Sequence, residues 1–175
     1  MMSFLKQMEG GASCVVRIVG NVAAWSGLAL VLLVAFNVLA RYLFSFSSVA
    51  LQELEWHLMA VAALFGMSYG LNQGGEVRVD IFYARFSGKT KAVVDFFSNA
   101  ALTLVAIYVV YLSVKYVQSS YAIMEGSPDP GGLPLRYILK AAIPAAFTLL
   151  ALQALAMTLG ALRLIVGSPD EAGQH

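Results

Sequence analysis

Four stretches without Asp, Glu, Lys or Arg run through the chain, and the charges gather between them. Arg17 and Arg41 bracket twenty-three uncharged residues, and Glu53 and Glu55 lead into the uncharged run from Trp56 to Gly75. Asp95 and Lys115 then enclose nineteen residues, and Lys140 and Arg163 enclose twenty-two. A helix rising about 1.5 Å per residue needs about twenty apolar residues to cross a hydrocarbon core roughly 30 Å thick. The pattern therefore predicts an all-α membrane protein with one four-span domain over residues 1–175. The spans fall at about 18–40, 56–75, 96–114 and 141–162. Residues 1–16 read as an interfacial or frayed start, and the last nine as an unstructured tail. Pro128, Pro130, Gly131, Gly132 and Pro134 make 119–140 the one long irregular connection. Pro144 is expected in the first turn of the last span, where its missing N–H costs little.

Within the second span, Ala62, Gly66, Gly70 and Gly74 recur every four residues. That spacing puts four small side chains on one helix face, on which a neighbouring helix can approach closely. Gly75 follows, and then residues 76–95 set Arg78, Arg85 and Lys89 on one helical face and Phe82 and Phe86 on another. A basic face opposite an aromatic one predicts an amphipathic arm helix lying among phospholipid headgroups.

Composition agrees with the pattern: 59% of residues are apolar and only 12% charged, with a mean hydropathy of +0.75. Soluble domains carry about a quarter charged residues, so the chain falls in the membrane class. A formal net charge of +1 argues against nucleic acid, whose phosphates demand a concentrated basic face. Cys14 is the only cysteine, which excludes an intramolecular disulfide or a dithiol redox couple. The long apolar run follows Cys14 instead of preceding it, so neither a signal peptide nor lipidation is expected.

Four spans place both termini on one side of the membrane. With the termini inside, that side collects Lys6, Arg17, Arg78, Arg85, Lys89, Lys91 and Arg163, seven cations against Arg41, Lys115, Arg136 and Lys140 opposite. The positive-inside rule then predicts cytoplasmic termini.

The spans hold almost nothing ionisable, and intramembrane ionisable groups are where membrane chemistry concentrates. A haem held by two histidines is excluded, because His175 in the tail is the only partner for His57. Glu53 and Glu55, two residues apart, point to different helix faces and have no further ligands near them. No catalytic residue, metal site or cofactor is expected. The short 42–52 connection returns the chain to one interface, where Arg41 is expected to pair with one of the two glutamates. Arg78 with Glu76 or Asp80 is the counterpart on the other side.

At these residues the sequence resembles the small membrane (Q-type, DctQ-like) subunits of tripartite ATP-independent periplasmic (TRAP) transporters. The matching features are Arg41-Tyr42, the stretch Glu53 to His57, Phe65-Gly66 and Gly74-Gly75-Glu-Val-Arg-Val-Asp80. Ala142-Ile143-Pro144 and Leu152-Gln153-Ala154-Leu155 add to them. The resemblance implies a non-enzymatic, multi-pass subunit of the bacterial inner membrane. It implies a large multi-span TRAP membrane subunit as partner, which binds sodium and substrate, and a periplasmic substrate-binding protein that delivers an organic acid or related solute. Arg41, Glu53, Gly75, Arg78 and Asp80 match the motif and are expected to hold the subunit in place. Two other readings are an anchor subunit of a respiratory complex, which needs haem or quinone ligands in the spans, and a small homo-oligomeric channel, which needs a polar pore stripe.

Overall fold

The computed structural model describes residues 2–75, 83 and 85–166, with side chains from residue 10 onward. Four helices account for nearly all of them: α1 (Met2–Phe44), α2 (Val49–Asn72), α3 (Gly88–Ala122) and α4 (Arg136–Val166). No strand occurs among the described residues. Three of these helices, α1 from Gly10, α3 and α4, are long and apolar enough to cross a membrane. The second does not reach that measure, because Gln52, Glu53, Glu55 and His57 occupy its first turns.

Large apolar side chains face outward and small ones face inward. Trp25 is 70% exposed and Leu104 69%, whereas Ala106, Ala146 and Ala154 are fully buried. That is the reverse of a soluble core, and it suits a lipid surround, where small residues let backbones approach and nothing drives Leu inward. The buried centre is Leu71, Ala106, Leu150 and Ala154, with Leu102, Phe147, Ala151 and Met157 against it. α4 packs on each of the other three helices, most extensively on α3, and α1 and α2 pack on each other. One close α1–α2 approach is at Gly20, where an added Cβ would lie 2.6 Å from the Cβ of Tyr69.

Three buried hydroxyls are satisfied within their own helices. Thr103 donates to the Asn99 carbonyl at 2.7 Å, Thr158 to that of Ala154 at 2.8 Å and Ser113 to that of Val110 at 3.1 Å. Such back-bonding hides the hydroxyl in the helix's own turn and leaves no donor to line a polar path.

Several boundaries differ from the sequence expectation. The start does not fray into a separate segment, for α1 is one helix from Met2. α4 begins at Arg136, so Pro144 lies in its interior and removes one helical hydrogen bond there. Residues 76–95 do not form one arm helix: residues 85–87 turn, and Ser87 caps α3, its hydroxyl accepting from the Thr90 amide at 3.3 Å. Arg85 and Lys89 therefore lie on opposite sides of a helix start and share no helical face. Both are exposed, as is Phe86. Tyr83 is anchored to α3 through its hydroxyl, 2.7 Å from Asp95 Oδ2. Arg78, Asp80, Phe82, Glu76 and the tail lie outside the described residues.

Candidate functional site

The C-terminal ends of α1 and α3 and the N-terminal ends of α2 and α4 meet at one end of the bundle, and most of the chain's interior charge collects there. Glu53 is only 3% exposed, although it sits in the second turn of α2. Its carboxylate accepts hydrogen bonds from the Ser127 hydroxyl and from the Leu133 amide, the latter at 2.6 Å. The Arg136 guanidinium stands 3.9 Å away and lies over the Trp56 ring at 5.2 Å. These donors, Ser127 first and the Leu133 amide next, hold the Glu53 carboxyl below its ordinary value. A carboxylate that accepts such bonds is stabilised in its charged form.

A second carboxylate sits beside the first. Glu125 Oε2 accepts from Lys140 Nζ at 2.5 Å and from the Ser120 hydroxyl at 2.6 Å. Lys140 also lies over the Tyr116 ring at 4.2 Å. The bond from Lys140, and then that from Ser120, lowers the Glu125 carboxyl as well.

The connection between α3 and α4 is built around these two groups. Met124 takes a left-handed conformation (φ 47°) and the Glu125 amide returns to the Ser120 carbonyl at 3.1 Å, closing α3 in a Schellman-type cap. Ser127 N donates to the Leu133 carbonyl at 3.0 Å and Arg136 N to the Glu125 carbonyl at 2.8 Å, so the two arms of the loop run back along each other. At its tip the Gly132 amide donates to the Asp129 carbonyl at 3.0 Å, with Pro130 second and Gly131 third at φ 80°. That is the residue pattern of a type II turn, whose third position requires positive φ. Gly132 is held tightly: an added Cβ would lie 2.8 Å from Glu53 Oε2 and 2.5 Å from Ser127 Cβ. The loop expected to be irregular is a hydrogen-bonded clasp.

The predicted site residues divide. Glu53 does not pair with Arg41: the returning loop of residues 123–135 supplies its donors instead. Arg41 is exposed and makes no ion pair among the described residues. Glu55, on another face, accepts from Asn37 Nδ2 at 2.5 Å and so joins α2 to α1. His57 donates from Nδ1 to the Glu53 carbonyl at 2.6 Å and packs on Trp56. Ala62, Gly66 and Gly70 are half-buried along α2, and a Cβ added at Gly66 or Gly70 would meet nothing within 4 Å. Among the described residues, no other helix comes that close at Gly66 or Gly70. Gly74 does not extend it, because α2 has ended at Asn72. Gly74 (φ 71°) and Gly75, whose amide reaches the Gly70 carbonyl at 2.8 Å, instead form the helix's left-handed cap.

The sequence pattern points to no site role for Ser127, Gly132, Arg136, Glu125 or Lys140. Asp129-Pro130-Gly131 is the available signal, a turn signature that brings Glu125 toward Arg136. No group of three or more His, Cys, Asp or Glu suited to a metal occurs among the described residues. Chemically, the clasp can fix helices, with both carboxylates committed to donors on other segments.

The family model described as "Tripartite ATP-independent periplasmic transporters, DctQ component" matches residues 30–164. The chain belongs to the DctQ family. It is a small membrane subunit of a TRAP transporter and not an enzyme. DctQ subunits associate with a large membrane subunit and a substrate-binding protein, which sets aside a respiratory anchor and a self-assembled channel. No curated protein matches the chain. The match covers α2, α3, the clasp and α4 as far as Leu164, so the residues that meet at Glu53 all lie within the family's region.

Proposed function

We propose that this DctQ chain is the static scaffold of a sodium-coupled TRAP transporter that imports an organic acid or related small solute across the bacterial inner membrane. In this reading all four helices cross the membrane and both termini are cytoplasmic. α2 crosses with its polar first turns at headgroup level and its apolar remainder in the bilayer. Arg85, Phe86 and Lys89, with Arg78 and Phe82, meet phospholipid headgroups. Arg41, Glu53, Glu55, Ala62, Gly66, Gly70, Gly75, Arg78 and Asp80 position the subunit, and substrate and sodium bind the large partner.

The observation that carries the scaffold role is the commitment of Glu53 and Glu55. Each accepts a hydrogen bond from another segment of this chain, which suits a part that stays still while its partner moves. The clasp loop then faces the periplasm, where a substrate-binding protein docks, and its hydrogen-bonded shape offers that partner a surface needing little ordering on contact. Uptake into proteoliposomes tests this. With the large subunit and this chain present, uptake is expected to need both a sodium gradient and the binding protein. Replacing residues 125–134 by a Gly/Ser linker is expected to raise the binding-protein concentration needed for half-maximal uptake. Uptake indifferent to sodium, or an unchanged concentration dependence, contradicts the corresponding part.

A further inference from the structure

Beside the clasp, α2, α3 and α4 form an open groove of about 470 Å³. Its mouth, at the clasp end, carries Arg136, Lys140 and Glu125 with the rings of Trp56 and Tyr116, and Ala60, Leu64, Leu139 and Ile143 line it further along α2 and α4. The sequence of surfaces is polar and charged, then aromatic, then aliphatic. A membrane presents the same order from headgroup to acyl chain.

The charged groups at the mouth retain unused capacity. Arg136 has five donors, and among the described residues its guanidinium makes the 3.9 Å ion pair with Glu53 and the stacking on Trp56 and no hydrogen bond. Glu125 accepts both its bonds on Oε2, leaving Oε1 without a donor among the described residues. One free cationic fork and one free carboxylate oxygen therefore open on the same groove. Glu53 and Glu125 against Arg136 and Lys140 make the cluster neutral, which suits a ligand with one charge of each sign better than a net anion.

We propose that this groove binds one aminophospholipid, of the phosphatidylethanolamine type. The lipid phosphate takes the Arg136 guanidinium, bidentate geometry favouring arginine for such an oxyanion. The primary ammonium donates to Glu125 Oε1, and one acyl chain runs down Ala60, Leu64 and Ile143. A choline headgroup has no N–H to donate there, and a glycerol headgroup offers hydroxyls but no positive charge for Glu125. The bound lipid joins the three helices at the same level as the clasp and adds to their fixed arrangement.

Trp56 reports on the site directly. The chain has two tryptophans, so Trp25→Phe leaves Trp56 as the only one. In phosphatidylcholine bilayers, quenching of that fluorescence by small mole fractions of acyl-brominated phosphatidylethanolamine, phosphatidylcholine or phosphatidylglycerol is compared. Brominated phosphatidylethanolamine is expected to quench at about tenfold lower mole fraction than either other lipid, the size of one charge-assisted hydrogen bond. Arg136→Gln should abolish that preference. So should Ala60→Phe, which places a ring in the groove one turn along α2 from Trp56 and guards against a folding defect in the first variant. Soluble glycerophosphoethanolamine should not relieve the quenching. Equal quenching by the three lipids, a preference for phosphatidylglycerol, retention of the preference in Ala60→Phe, or displacement by the soluble headgroup would each overturn the proposal.

Discussion

Gly132→Ala will loosen the loop from α2 although it adds only one methyl group. The new Cβ would stand 2.8 Å from Glu53 Oε2 and closer still to the Ser127 hydroxyl. Neither neighbour is free to yield, because each is bonded to the other and Glu53 also holds the Leu133 amide. Overpacking a fixed site costs about 1–3 kcal/mol, and an orphaned amide adds a comparable amount. The measurement is thermal unfolding of the purified complex, with proteolysis within 125–134 as the local reporter. Glu53→Ala is expected to act in the same direction, and Glu53→Gln less, since an amide oxygen still accepts one bond. A Gly132→Ala complex as stable and as protease-resistant as the parent contradicts the clasp.

The second large effect runs the other way between fold and assembly. With Gly66→Leu and Gly70→Leu, neither new Cβ meets another described part of the chain within 4 Å beyond its own helical turn, and glycine is the poorer helix former by about 0.8–1 kcal/mol per residue relative to alanine, with leucine close to alanine. The isolated variant should therefore fold at least as well as the parent. If the unfilled face receives a helix of the large subunit, the same side chains hold that helix away, and close small-residue contact is what joins helices in lipid. Retained folding with lost recovery of the large subunit is the expected result. Unchanged recovery would place the partner elsewhere on this chain.

How much of this was legible in the sequence follows from what each feature depends on. The apolar helices were legible, because charge-free runs of about twenty residues admit few other structures. Their ends were less so: helical hydrogen bonding carries α3 back to Gly88 and α4 back to Arg136, through residues whose charges suggested connections. The separation of Glu53 from Glu55 followed from helical spacing. The partner of Glu53 did not, because Ser127, Leu133 and Arg136 lie more than seventy residues away in the chain. Arg41 was the nearest cation along the chain, and the loop of residues 123–135 reached the carboxylate instead. The Ala62, Gly66 and Gly70 stripe was legible as a pattern, while Gly74 belonged to a cap that only the φ of 71° distinguishes from it.

The most direct test of the scaffold role is recovery of this chain from mild detergent, with its copurifying membrane proteins identified by mass spectrometry. A subunit of this kind brings down one large multi-span protein in about equal amount, and the pair supports uptake once the binding protein and a sodium gradient are supplied. A uniform homo-oligomer of this chain without a large partner would contradict the account.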